Sequence, residues 1–191
     1  MTERDPIEFY PLTKERWEDF DRLFGPRGAC GGCWCMWWRL KRSEFERRKG
    51  EDNRRAMHYI VASGEVPGIL AYQGTDPVGW CSVAPRDSFP VLDRSRILKP
   101  VDNLPVWSIV CFFIDKQHRR QGLCGKLIRA AVDHATRSGA TTVEAYPIEP
   151  QAGRRLTPAF VYTGPASAFR QAGFVQVARR SQTRPIMRYS A

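Results

Sequence analysis

The stretch WSIVCFFIDKQHRRQGLCGKLIRAAVDHATRSGATTVEAY, residues 107–146, decides the fold. Val106 to Ile114 is almost unbroken apolar sequence, the pattern of a central strand covered on both faces, and Asp115 ends it. From Leu123 onward Cys124, Leu127, Ile128, Ala131 and Ala135 recur at three- and four-residue steps, with Lys126, Arg129, Asp133 and Arg137 on the other side. That spacing predicts a helix with one face on a sheet. Gly139 marks its end, and Thr141 to Tyr146 reads as the next strand. Joining the first strand to the helix is a basic glycine turn: Arg119, Arg120, Gln121, Gly122, Leu123, Cys124, Gly125, Lys126. Gly122 and Gly125 let the backbone turn sharply, so the first helical amides and the positive dipole end can face an anion. Arg119, Arg120 and Lys126 add charge there. The unit reads as a holder for a phosphate-bearing ligand, and the plainer alternative is an ordinary strand-to-helix turn with surface arginines.

Two other phosphate motifs fail on this turn. A P-loop requires Gly where Arg120 stands and Ser or Thr where Leu127 stands, and a dinucleotide fingerprint requires Gly at Cys124. Outward from the turn, Ile7 to Leu12 predicts a first strand. Thr13 is an N-cap for a helix to about Phe24, stopped by Gly25 and Pro26. Ser43 starts another helix, and Glu51 to Ala62 forms a further one after Gly50. Gly68 to Tyr72 and Val78 to Val83 read as a hairpin, and Pro85 opens an irregular, partly helical crossover. Pro147 to Thr163 reads as a loop or a lid. Gly164 to Ala172 is a short helix, followed by strands at Phe174 to Ala178 and Ile186 to Tyr189.

The chain has 191 residues, 42% of them hydrophobic and six of them tryptophan, which excludes disorder and suits one domain, 1–191, with a sizeable core. No apolar run approaches membrane-spanning length, and no basic region with an apolar core opens the chain, so no membrane association and a cytoplasmic location are expected. Six cysteines are too few for a disulfide scaffold. The 30 Lys plus Arg against 20 Asp plus Glu give a formal charge of +10, but the arginines are dispersed and no nucleic-acid motif accompanies them. The excess could serve nucleic acid or equally a polyanionic cofactor, and dispersed surface charge accounts for it better than either.

The glycine turn resembles the cofactor-binding motif of the GCN5-related N-acetyltransferases, whose pattern is Arg or Gln, two residues, Gly, one residue, Gly or Ala. Arg119 and Gly122 fill the first fixed positions, and Cys124 stands where Gly or Ala is usual. The order of elements is also similar, most closely from about Trp107 to Phe174. The resemblance implies an acyl-CoA N-acyltransferase fold, a mixed central sheet flanked by helices. It further implies that Arg119 to Lys126 cradles the pyrophosphate of acetyl-CoA while Phe112, Phe113 and Ile114 pair with its pantetheine arm. Ala168 to Phe174 resembles the family's closing motif, with Phe169 where many members have a Tyr that protonates the departing sulfur. Phe169 can pack against the cofactor but has no proton to give.

Amine acetylation needs a route for the amine proton, a polarised thioester carbonyl and a stabilised thiolate. A chain amide at the end of the Val106 to Ile114 strand can polarise the carbonyl. Glu144, on the neighbouring strand, is a candidate base that takes the amine proton directly or through water, with a solvated or salt-bridged strand carboxylate as the alternative. Tyr146 and Tyr162 are candidate acids, unless each simply packs its ring. In Cys30, Gly31, Gly32, Cys33, Trp34, Cys35, Met36, Trp37, Trp38, Arg39 the dense aromatic surface suits an acceptor pocket, with Trp34, Trp37 and Trp38 facing the amine. A core plug is the alternative. Cys30, Cys33 and Cys35 lack an evident fourth ligand, so no metal is expected. Segment 25–63 is therefore expected on the acceptor side of an acetyl-CoA-dependent enzyme whose partner is a small-molecule amine, with a homodimer left open. A protein or peptide amine, or a non-catalytic acyl-CoA-binding regulator, are the rival readings.

Overall fold

A computed structural model describes residues 5–150 and 161–191. Seven strands form one sheet: β1 (Ile7–Pro11), β2 (Gly68–Gln73), β3 (Asp76–Pro85), β4 (Trp107–Ile114), β5 (Thr142–Ala145), β6 (Val175–Arg179) and β7 (Pro185–Ser190). Their spatial order is β1-β2-β3-β4-β5-β7-β6. Among the described residues, only β4 and β5 run parallel as neighbouring strands. Helices cover both faces, so this is the mixed α/β sheet that the sequence predicts. Ten residues of the expected 147–163 loop, 151–160, lie outside the described residues.

The helices are α1 (Trp17–Phe24), α2 (Arg42–Arg47), α3 (Glu51–Ala62), α4 (Pro90–Arg94), α5 (Leu123–Arg137) and α6 (Ala166–Gln171). On one face the periodic stripe of α5, Leu127, Ile128, Ala131 and Ala135, packs with Ile109, Val143, Phe169 and Phe174. On the other, Phe20 and Phe24 of α1 and Met57 and Val61 of α3 pack with Trp34, Leu70 and Trp80. Thr13 departs from its expected role. A 3-10 turn, Lys14–Arg16, separates it from α1, and its hydroxyl accepts from Arg16 rather than from a backbone N–H.

β4 carries a bulge. Ile109 pairs with Val83 and Cys111 with Ser82, which leaves Val110 as an extra residue. Side-chain alternation breaks there: Ile109 and Phe112 face α5, whereas the two consecutive residues Val110 and Cys111 both face the opposite side. The parallel pairing with β5 covers only Trp107 with Val143, Ser108 with Glu144 and Ile109 with Ala145. Past the bulge the two strands part.

A buried ion network holds the paired end. Glu144 is 1% exposed, and its Oε1 accepts from Arg86 Nη1 at 2.9 Å while its Oε2 accepts from Arg188 Nε at 2.7 Å. Tyr146 donates its hydroxyl proton to Glu144 Oε1 at 2.6 Å, so the Ser108 hydroxyl, 2.9 Å away, donates to Tyr146. Arg86 also binds Asp93 and the Leu98 carbonyl, and Arg188 binds Asp102 through both terminal nitrogens. The crossover between β3 and β4 is thereby tied to β5 and β7.

The turn after α1 depends on Gly28, at φ +56°, where a Cβ would lie 2.4 Å from the Trp34 indole nitrogen. Gly28→Ala should therefore cost about 2 kcal/mol, from left-handed backbone and overpacking together. Removing a carboxylate from between two buried guanidinium groups is more severe. Glu144→Ala should lower the unfolding free energy by about 3 kcal/mol, and Glu144→Gln by less. Urea unfolding with an unchanged slope measures both; a Glu144→Ala midpoint equal to that of the parent would refute the structural role.

Candidate active site

Where β4 and β5 part, a cavity of about 800 Å³ opens. One wall is the far end of β4, Cys111 to Ile114, continuing to Arg119 of the glycine turn and Cys124 of the first turn of α5. The facing wall is the aromatic segment: Ala29 to Gly31, Cys33, Cys35, Trp37 and Trp38, with Phe45, Glu46 and Lys49 beyond. Val161, Tyr162 and Pro165 close a third side. Expected cofactor-side and acceptor-side residues thus meet in one space.

The glycine turn has the backbone that its sequence requires. Gly122 sits at φ +76° ahead of α5, and a Cβ there would find no atom within 4 Å, so the chain beside it is open. Arg120 precedes it at φ +60°, a left-handed conformation uncommon for a side-chain-bearing residue. Arg120, Gln121, Gly122 and Lys126 are exposed. Leu123 instead turns into the α5 core, and Arg119 uses its Nε to bind the Ile114 carbonyl at 2.8 Å, which pins the turn to the end of β4. Gly125 donates its amide to the Gly122 carbonyl and closes the first turn of α5. Burial pushes the Cys124 thiol up to about 12, so it is a neutral wall of the cavity at physiological pH.

The three catalytic candidates separate. Glu144 and Tyr146 are absent from the described cavity wall, and both are committed to the buried network that fastens β5, the salt-bridged arrangement weighed as the alternative for Glu144. Tyr162 does line the cavity. Its carbonyl accepts from the Phe112 amide at 2.6 Å, and burial raises its phenol above the ordinary tyrosine value, with Arg184 opposing. Its ring lies 6.4 Å from that of Trp38. The tryptophans separate too. Trp37 and Trp38 border the cavity, whereas Trp34 stacks on Phe24 at 5.6 Å in the core, the packing role weighed as its alternative. Phe169 is fully buried behind Phe112, with ring centroids 6.0 Å apart, and so supports the β4 wall from the α5 side.

The sequence gives little warning of the arrangement of thiols. Cys30, Cys33, Cys35, Cys111 and Cys124, five of the six cysteines, line this one cavity. Cys111 arrives there because of the bulge at Val110, which an apolar run cannot reveal. Cys35 accepts a hydrogen bond from Trp80 Nε1 at 3.2 Å across 45 residues of chain. Among the described residues no group of three or more His, Cys, Asp or Glu could hold a metal ion, and no helix is long and apolar enough to cross a membrane.

Three solved structures illustrate the likeness of the fold. The PaiA N-acetyltransferase from Thermoplasma acidophilum in complex with coenzyme A is 12% identical, with 97% of this chain and 99% of that one covered and a TM-score of 0.55. A GNAT-family acetyltransferase from Listeria monocytogenes is 7% identical, with coverages of 97% and 95% and a TM-score of 0.58. The NatC complex bound to Gag peptide and CoA is 12% identical, with coverages of 97% and 98% and a TM-score of 0.54. A search of curated protein sequences finds no match. The family model for the acetyltransferase (GNAT) family runs through residues 34–155, well over half of the chain, from the aromatic wall across β4, the glycine turn and β5. A chain matched continuously through both walls of this cleft belongs to the acetyltransferase (GNAT) family.

Proposed function

We propose that the protein is a cytoplasmic N-acetyltransferase, one catalytic unit over residues 1–191, that moves an acetyl group from acetyl-CoA to a primary amine of a small molecule. Transfer is direct, within a ternary complex. The observation that carries this reading is the single cavity joining the glycine turn, the far end of β4 and the aromatic segment. Family membership and the CoA-bound relatives support the donor.

The residues fit such a donor. Open space beside Gly122, the exposed Arg120 and Lys126, and the start of a 15-residue helix suit a pyrophosphate. β4 beyond Ile109 has no β5 partner and can pair with an extended arm. That arm competes with the Tyr162 carbonyl for the Phe112 amide. When bound, acetyl-CoA supplies a thioester whose carbonyl carbon accepts the amine. The β4 amides orient that carbonyl, and Trp37 and Trp38 hold the acceptor and exclude water. Tyr162, kept protonated by burial, would donate to the departing thiolate and recover its proton, through water, from the newly acylated nitrogen. Glu144 and Tyr146 have no part in proton transfer on this reading, because their polar atoms are already committed to Arg86, Arg188 and Ser108. An aromatic cavity suits a small amine better than a polypeptide, and a panel that includes peptides separates the two acceptors.

Acetyl-CoA should raise the melting temperature in proportion to its occupancy, and some amine in the panel should be acetylated. Gly122→Asp places bulk and negative charge at the phosphate position and should weaken CoA binding by about tenfold or more. Binding of no CoA compound at all would overturn the reading. Tyr162→Phe should lower kcat by about a hundredfold with little change in KM for acetyl-CoA. Because the phenol is raised, activity should show no alkaline decline from this group below about pH 10. An unchanged kcat would remove Tyr162 from the chemistry.

A further inference from the structure

Acyl transfer leaves unused the most unusual side-chain pair in the cavity. Cys35 and Cys111 line it together, one on the aromatic segment and one on β4, and both pack in the cluster that holds Phe24 and Trp80. The two sulfurs are not equivalent. Cys35 accepts from Trp80 Nε1 at 3.2 Å, a donor that favours its anion. The guanidinium of Arg39 adds positive charge to the same neighbourhood; its Nε and Nη2 are buried with no hydrogen-bond partner among the described residues. A buried cation without a bonded partner is costly unless an anion stands near it. The neighbouring Cys111, the Trp80 N–H and the Arg39 charge together pull Cys35 below the usual thiol range, whereas the neighbouring Cys35 and burial push Cys111 well above it. Cys33, two residues away, is pushed up to about 11 by burial.

We propose that Cys35 and Cys111 form a redox-active dithiol that reduces a hydroperoxide entering the cavity. The Cys35 thiolate attacks the terminal oxygen of the hydroperoxide. The S–O bond forms as the O–O bond breaks, and the departing oxygen takes a proton and leaves as an alcohol or water. Sulfur of Cys111 then attacks the sulfur of the Cys35 sulfenic acid. The S–S bond forms as the S–O bond breaks, and the hydroxyl leaves as water with the Cys111 proton. Two thiols have supplied two electrons, and the disulfide ties the acceptor-side segment to β4 across the cavity. The two side chains already border one cavity and pack in one cluster.

The test uses the full-length reduced protein, one equivalent of hydrogen peroxide, and tandem mass spectrometry of a non-reducing digest after alkylation of the remaining thiols. The expected product is a peptide pair joined through Cys35 and Cys111, lighter by two hydrogens and separated by dithiothreitol. Cys111→Ser, checked for folding by its melting temperature, should stop the reaction at a Cys35 sulfenic acid that dimedone captures. Oxidation at Cys30 or Cys33 with Cys35 and Cys111 still alkylatable overturns the proposal, as does a linkage of Cys111 to Cys33. Neither readout depends on acetyl transfer, so the proposal can fail while the acetyltransferase reading stands, and the reverse.

Discussion

The parallel contact between β4 and β5 lasts for three residue pairs and then ends, and the cavity exists because it ends. Two forces set that length. The bulge at Val110 alters the course of β4, and the Glu144 network anchors β5 at the paired end to the β3–β4 crossover and to β7. A carboxylate removed from water between two guanidinium groups is tolerable only when both oxygens are engaged, and here both are. The network fixes where the cleft begins.

Residues 107–146 could be read from their periodicity because both of their elements are local. The α5 stripe and the apolar β4 run depend on neighbours three, four or two residues away, and the observed bounds lie within a residue or two of the expected ones. Gly122 was legible for the same reason, since a single left-handed position governs the turn. Glu144 was not. Its meaning depends on Arg86 and Arg188, 58 and 44 residues distant in sequence, and an isolated strand glutamate looks alike whether it abstracts a proton or joins a buried ion pair.

The aromatic segment shows the same boundary between local and distant information. Its glycines and tryptophans announced an unusual surface, yet which rings meet solvent space depends on Trp34 and Cys35, two successive side-chain-bearing residues at φ +45° and +59°. Left-handed backbone at both sends the Trp34 ring inward onto Phe24 and leaves Trp37 and Trp38 to the cavity. Composition supplied the ingredients of a pocket, and backbone conformation divided them between core and wall.

The extra residue at Val110 also gives β4 two reading frames. Before it, odd-numbered side chains face α5; after it, even-numbered ones do, so Ile109 and Phe112 share a side. Straightening the strand without removing a residue would send Cys111 toward α5 and Phe112 to the opposite face, whereas deleting Val110 would restore an ordinary pleat and leave both where they are. The chemistry of this cleft therefore rests on a count of residues as much as on their identities.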